Sequence, residues 1–383
     1  MYKVVSLLLF SSLFCLYGCV NKHHSTIDSD AICITINPDR SEKLDIETLF
    51  SSIEVIPLES SAVSLFSKCD KMFFFEEKYY ILDRKAACIY VFNADGTFLR
   101  SSKSKQGNGP GEYYCIADFD ISKDKHIEIL DVSAYKIRKY DDEFNFLDEI
   151  DIPKKMYPIS TFKCLNNELY AFYSSRSSDA NDELKVYSFS QNRIVESVKG
   201  YISIPSLRVG VTQPYSFYEL KEDVFFSFPY SNDKIYKIDS KEGCIKEIFR
   251  YDFGNHSFPF ERIDTHVSIF EDIIKGSKEY AFPIYRGENE NFLFTFIMYQ
   301  EKQYLLLYEK VLKQSNLYSY TFRDGKILLP PTLVDDNFLY VVAEQNWLEY
   351  LIAERLLVGK AKDAIKNLHE DDNPVILKYC LRR

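Results

Sequence analysis

The sequence predicts an all-β chain: a six-bladed β-propeller closed by strands from both termini, with a helical insertion in its last blade. Three observations predict it. The first is a repeated phrase. Tyr79-Tyr80-Ile81-Leu82-Asp83 is followed, after a short polar stretch, by Ile89-Tyr90-Val91-Phe92-Asn93. The pair returns as Ile127-Glu128-Ile129-Leu130-Asp131 with Ile137-Arg138-Lys139-Tyr140-Asp141, and looser copies lie at 169–173 with 184–188 and at 224–228 with 235–239. The second is the period. The aligned residues Phe92, Tyr140, Tyr187 and Ile238 are 48, 47 and 51 residues apart, the spacing of propeller blades. The third is composition. With 29 Tyr and 30 Phe against one Trp and four Met, the chain is rich in residues that suit a pleated, half-buried surface.

Each blade reads as a four-stranded antiparallel meander, strands A to D running outward from the axis. In blade 1, A lies near 71–75, B at 79–83, C at 89–93 and D at 97–101. Asp95-Gly96 supplies the C–D turn, because Asp-Gly suits the positive φ of a two-residue hairpin loop. Blade 2 spans 114–152, blade 3 spans 159–199 and blade 4 spans 216–253. Blade 5 has B at 292–297, C at 304–308 and D at 317–322. Blade 6 begins with 326–329 and continues with 338–342. There the sequential strands run out. Over 343–368 the apolar residues Trp347, Leu348, Leu351, Ile352, Leu356 and Ile365 recur at helical spacing, with Gly359 as a break. A short apolar strand, 375–381, follows Asp372-Asn373-Pro374. Its missing neighbour lies at the other end of the chain. Residues 53–58, Ile-Glu-Val-Ile-Pro-Leu, precede blade 1 and are expected to complete blade 6, so that no sheet edge is left open at the seam. Residues 32–36 offer a further edge strand. One connection is long: Leu307 follows Ile238 by 69 residues, and the excess falls within 254–291.

The N-terminus reads as a targeting segment. Lys3 precedes the apolar run 4–16, which is too short to span a bilayer and fits a signal-peptide core. It ends in Leu16-Tyr17-Gly18-Cys19, which resembles a bacterial lipobox and implies cleavage after residue 18 with lipid attached to Cys19. The expected organisation is signal peptide 1–18, lipidated polar tether 19–30 and propeller 31–383. Seven further cysteines lie beyond Cys19, scattered and without a CxxC pair. Neither a disulfide framework nor a zinc site is expected, and most of these thiols read as small buried residues. A formal net charge of −10 and a pI near 5.3 argue against nucleic acid as a partner.

In a propeller the B–C loops and the D–A loops share one face. This places Arg84, Tyr135, Arg176, Arg208, Tyr230 and Arg286 on or near one rim, the candidate ligand site. Tyrosine faces and guanidinium forks suit sugars or carboxylated ligands. His256, Glu261, Asp264 and His266 lack the spacing of a compact metal motif. The acidic pairs at 141–142, 335–336 and 371–372 lack the alternating ligands of an EF-hand loop. No metal, no cofactor and no catalytic residue is therefore assigned. The innermost strands offer Asp70, Asp118 and Asp120, and otherwise read as aromatic and aliphatic.

Gln106-Gly107-Asn108-Gly109-Pro110-Gly111-Glu112-Tyr113 resembles the G-x-G-P-G-E-[F/Y] signature of six-bladed β-propeller lipoproteins of Bacteroidota, which are distantly similar to NHL-type propellers. The I-x-x-I-P-L-E phrase at 53–59, the Ile-Leu-Asp phrase and the late Asp-Asn-Pro match as well. Together they cover nearly the whole mature chain. The resemblance implies the fold and an outer-membrane location, on the cell surface or the periplasmic side. It implies no reaction, because that family is largely uncharacterised. The loop has a physical reading of its own. Gly107, Gly109 and Gly111 permit positive φ and close backbone approach, Pro110 stiffens the turn, and Glu112 is placed to accept amide hydrogen bonds. It lacks the Gly-Lys-Ser/Thr ending of a phosphate loop and precedes a strand, so it is expected to be a structural crossover. The function expected is a monomeric, non-catalytic binding module for a glycan, a peptide or a partner protein. The alternatives are a metal-dependent lyase or hydrolase in the central channel, or a structural accessory of an outer-membrane import complex.

Overall fold

The computed structural model describes residues 30–174, 181–202, 216–229, 233–258, 278–300, 302–319, 331–353 and 357–382. They form six sheets, one per blade. Blade 1 comprises Lys71–Phe75, Lys78–Asp83, Cys88–Asn93 and Phe98–Ser101. Blade 2 comprises Asp118–Ile121, Ile127–Asp131, Lys136–Tyr140 and Phe146–Asp151; blade 3 comprises Thr161–Cys164, Leu169–Ser174, Asn181–Ser188 and Arg193–Ile202. Blade 4 is built from Phe217–Leu220, Asp223–Phe226, Lys234–Ile238 and Ile245–Asp252, and blade 5 from Phe282–Glu288, Phe292–Tyr299, Lys302–Glu309 and Gln314–Ser319. Blade 6 takes A and B from Leu333–Val334 and Phe338–Ala343, C from Val375–Leu381 and D from Phe50–Pro57.

The repeated phrase has a packing cause. Side chains of a strand alternate between faces, and the B and C strands lie between two neighbouring blades, so both faces are buried. Tyr79 and Ile81 pack toward blade 6 against Tyr340 and Ile376. Tyr80 and Leu82 pack toward blade 2 against Phe119, Ile127 and Ile129. The period residues Phe92, Tyr140, Tyr187 and Ile238 are all fully buried. The Asp that ends the phrase ties down loops. Asp83 accepts the amides of Ala86 and Ser67 at 2.9 and 2.7 Å, and Asp131 accepts those of Ala134 and Tyr114 at 3.2 and 3.0 Å. Each therefore fixes its own B–C turn and the segment leading into its own blade. Burial works to raise the Asp83 carboxyl, and these amides outweigh it, holding it below its ordinary value.

The ring closes as the sequence predicts. Val375–Leu381 lies between Phe338–Ala343 and Phe50–Pro57, antiparallel to both. The Asn of the late Asp-Asn-Pro secures this seam. The Asn373 amide nitrogen donates to the carbonyls of Glu59 and Ser64 at 2.8 and 3.0 Å, and its oxygen accepts from the Phe66 amide at 3.1 Å. Glu59 continues the seam into blade 1: its amide donates to the Gly96 carbonyl at 2.9 Å, and its carboxylate accepts the Phe98 amide at 2.9 Å. Gly96 has φ +89°, and a Cβ there would stand 2.0 Å from the Pro57 carbonyl oxygen, so the Asp95-Gly96 turn admits no side chain. Upstream, the chain straps the outside of the ring. Ile32–Thr35 pairs in parallel with the D strand of blade 4, and Glu42–Lys43 with that of blade 5.

The run 326–329, expected to begin blade 6, lies outside the described residues, among which strand A of that blade is Leu333–Val334. Two expectations are corrected. The long connection before blade 5, where the sequence predicts a loop, ends in a seven-residue A strand, Phe282–Glu288. The seven cysteines from Cys33 onward are free, but only Cys88 and Cys164 are buried. The helical insertion is present between strands B and C of blade 6, as Gln345–Ala353 and Lys360–Asp363. Gly359, at φ +55°, precedes the second helix. Leu348, Leu351, Leu357 and Ile365 bury the insertion in the core shared by blades 5 and 6.

Asn373→Ala removes three side-chain hydrogen bonds and leaves their partners inside the seam. A loss of about 2–4 kcal/mol is expected, read as a lower urea midpoint. A variant within 0.5 kcal/mol of wild type, an approximate margin for surface changes, would show that the seam does not depend on this residue.

Candidate functional site

Of the rim expected from the sequence, Arg84, Tyr135 and Arg286 fall among the described residues. Arg84 is exposed in the B–C turn of blade 1, where its Nε donates to the Ala117 carbonyl at 2.8 Å. Tyr135 occupies the B–C turn of blade 2 at φ 59°, edge-on to Tyr157 with centroids 4.5 Å apart. Both belong to one face, and both are engaged with their own surroundings. Arg176, Arg208, Tyr230 and Cys19 lie outside the described residues, as do Glu261, Asp264 and His266. His256 pairs with Asp39 at 3.2 Å. Arg286 is not on the rim: it sits in strand A of blade 5 and is 5 % exposed. The glycine loop is the expected crossover. Glu112 accepts the Gly109 amide at 2.8 Å, and a Cβ on Gly107 would lie 2.0 Å from its carboxylate. Gln106 fastens the loop to the Ala86 and Ala87 carbonyls, both at 2.6 Å.

Among the described residues, the axis has the geometry of a binding site. A cavity of about 400 Å³ is lined by the A strands of all six blades. Its walls include Phe73, Phe75, Lys163, Glu219, Arg286 and Val334, and its mouth includes the A–B turn residues Lys123, Lys221 and Asp336. In an antiparallel meander the A–B turns lie opposite the B–C turns. The cavity therefore opens on the face away from Arg84 and Tyr135.

Ion pairs link blade to blade around this axis. Lys71 of blade 1 donates to Asp118 of blade 2 at 2.8 Å and to the Phe119 carbonyl at 2.7 Å. The other Asp118 oxygen accepts the Thr161 hydroxyl and, at 3.1 Å, the Phe162 amide, both of blade 3. Asp120 accepts Lys163 at 2.8 Å and the Cys164 amide at 2.9 Å. Lys163 then reaches Glu219 of blade 4 at 3.1 Å. Tyr218 donates to Glu288 of blade 5 at 2.9 Å, and Lys310 pairs with the second Glu288 oxygen. The Arg286 guanidinium lies 5.3 Å from the centre of the Tyr251 ring, a cation–π distance. The Phe73 ring stands between the two lysines, with Lys71 Nζ at 5.1 Å and Lys163 Nζ at 5.9 Å from its centre.

Burial shapes these charges. It favours loss of the Lys163 proton, but Asp120 and Glu219 outweigh it and hold the ammonium above its ordinary range. Burial raises the Glu288 carboxyl, with Lys310 and Tyr218 opposing. Of these residues the sequence singles out Asp118 and Asp120, while Lys71, Lys163, Glu219 and Glu288 belong to no motif. Asp70, expected among the inner-strand acids, precedes the strand and accepts the Arg84 amide at 2.9 Å. The available signal was charge at alternate positions of strands that had to be innermost: Asp118 and Asp120, Arg286 and Glu288.

Removing one member of such a pair strands its partner. Lys71→Met leaves Asp118 buried without its cation and is expected to cost about 3–5 kcal/mol, measured by denaturant unfolding. Adding Asp118→Asn should recover a substantial part. Equal stability of Lys71→Met and wild type would mean that the belt does not bind blade 1 to blade 2.

Comparison with known proteins agrees with the fold. A protein of Bacteroides fragilis designated as exported is 18 % identical over 92 % of this chain and 100 % of its own, with a TM-score of 0.70. A DUF4221 family member from Bacteroides vulgatus is 10 % identical, covering 87 % of this chain and 97 % of its own, with a TM-score of 0.49. A virginiamycin B lyase from Staphylococcus aureus is 12 % identical, covering 86 % and 99 %, with a TM-score of 0.40. These last two are too distant to carry functional weight. No curated protein matches the sequence. The family model described as Domain of unknown function (DUF4934) matches residues 31–379, nearly the whole propeller, and the chain belongs to that family.

Proposed function

We propose that this chain is a membrane-tethered, extracytoplasmic binding module that seats a small glycan or peptide ligand in its central cavity. The axial cavity carries this reading. Its volume of about 400 Å³ falls within the roughly 300–1,000 Å³ of small-ligand sites. Half-buried aromatic side chains, Phe73 and Phe75, lie in the same wall as fixed charges, the combination that holds an apolar ring face and orients its polar groups. A standard protein–protein interface takes about 800 Å² from each partner, and a recess of this size instead suits one small molecule or one protruding segment.

The tether rests on the apolar run 4–16 and on Gly18-Cys19. The exported designation of the Bacteroides fragilis neighbour accords with it. Ile32–Thr35 runs parallel to the D strand of blade 4, and the Asp30 carboxylate ahead of it meets Lys246 at 3.3 Å beside the C–D turn. C–D and A–B turns share a face, so the chain joins the ring from the side on which the cavity opens.

Two measurements test the reading. A ligand that binds only the folded state at a hundredfold excess over Kd adds about 2.7 kcal/mol of stability, visible as a rise in Tm across a panel of oligosaccharides and peptides. Phe75→Ala is expected to weaken that ligand about tenfold, since one aromatic platform contributes on the order of 1–3 kcal/mol; the ring also packs against the core between blades 1 and 2, so the apo Tm falls as well and binding is compared at a temperature where both proteins are folded. Undiminished binding would move the site off the axis. For the tether, Cys19→Ala should shift the protein from the detergent phase to the aqueous phase in a detergent partition; unchanged partition would remove the lipid from the proposal.

A further inference from the structure

We infer that the axial cavity recognises its ligand through a carboxylate, and that Glu219 holds the place this carboxylate takes on Lys163. The inference deepens the binding reading and rests on it. Lys163 has two anionic partners of unlike character. Asp120 is fully buried, and both of its oxygens are engaged, one by Lys163 and one by the Cys164 amide. Glu219 is 36 % exposed, lines the cavity, and has Lys163 as its ionic partner at 3.1 Å. Turning Glu219 outward returns a carboxylate to water at little cost. Doing the same with Asp120 would break a buried pair and leave an amide unsatisfied. Asp120 is thus the permanent counter-ion and Glu219 the exchangeable one.

Exchange conserves the electrostatics. A ligand carboxylate in the place of Glu219 meets the same ammonium hydrogen, in a wall where Lys71 and Lys163 flank the Phe73 ring. Burial of Lys163 strengthens the bond, because a charge-assisted hydrogen bond gains as water is excluded. The ligand body then lies along Phe73 and Phe75. Sugar acids and N-acylated amino acids both present a carboxylate on a compact body of this kind.

The test uses the full-length protein, calorimetric titration and paired probes: glucuronate against glucose, and N-acetylglycine against N-acetylglycinamide. Glu219→Ala removes the internal competitor and is expected to bind one of the acids about tenfold more tightly than wild type, with the neutral probes unchanged. Which acid responds separates the sugar source from the amino-acid source. Acetate should raise the Tm of Glu219→Ala and leave wild type unmoved, with chloride at equal ionic strength as the control. Lys163→Met combined with Asp120→Asn, which keeps the buried pair neutral, should erase the preference for acids. If the probes bind without regard to charge, and Phe75→Ala weakens them, carboxylate recognition is overturned while the cavity reading stands. If no probe binds any variant and acetate moves no Tm, both are overturned.

Discussion

Everything in this molecule depends on closing the ring. A propeller blade cannot bury its two faces alone; each needs a neighbour on both sides. Five of the six contacts form between blades that follow one another in sequence. The sixth must join segments more than 300 residues apart, and such a contact rewards the chain only after the loop-closure entropy has been met. The seam is accordingly held by both backbone ladders and side chains. Its D strand comes from one terminus and its C strand from the other, and Asn373 holds the segment that leads from the D strand into blade 1. The motifs that mark the chain converge here: Ile56-Pro57-Leu58-Glu59, Asp95-Gly96 and Asp372-Asn373-Pro374 all lie within this one junction.

Closure has a consequence at the axis. Six A strands are brought together where few side chains fit, and their outer faces are already committed to the inter-blade cores. The inner faces of blades 1 to 5 carry Lys71, Asp118, Asp120, Lys163, Glu219, Arg286 and Glu288, and the contacts run from one blade to the next. Buried ion pairs rarely stabilise a fold relative to apolar packing. Here they serve alignment: Asp118 alone touches blades 1 and 3 from blade 2, so a shift of any of the three breaks a bond. Among the described residues, strand A of blade 6 is the two-residue strand Leu333–Val334. It gives the cavity a short apolar section of wall beside the charged ones.

The blades were legible because their signal is local and periodic. The B strands of blades 1 and 2 are buried on both faces, so Tyr79 to Leu82 reads as an unbroken apolar run, and the turn-fixing Asp follows at the same place in each, as Asp83 and Asp131. Strand A of blade 5 was not legible. Pro283 and Gly287 interrupt its pattern, and the register shift between Pro283 and Tyr285 confirms that the strand is irregular. The axial cavity was not legible for a different reason. Arginines and tyrosines in loops look like ligand groups, and Arg84 and Tyr135 engage the Ala117 carbonyl and the Tyr157 ring. The residues at the axis look like solvent-facing charges in short strands. Only the knowledge that these strands are innermost turns Lys163 or Glu219 from a surface charge into a wall of a cavity.

Alignment and recognition make opposite demands on the same belt. A belt fully buried and fully paired would lock the blades and exclude a ligand; an open one would admit a ligand and loosen the ring. The described links divide along this line. Lys71–Asp118 and Lys163–Asp120 are buried on both sides, with side chains no more than 5 % exposed. Lys163–Glu219 joins the same buried lysine to a carboxylate that water reaches. The first two can carry the register of blades 1 to 3 whatever happens at the third. Exchange at Glu219 then costs the ring one inter-blade contact out of several. A site built this way binds without unfolding the structure that positions it, because the group that moves is not one that the fold depends on.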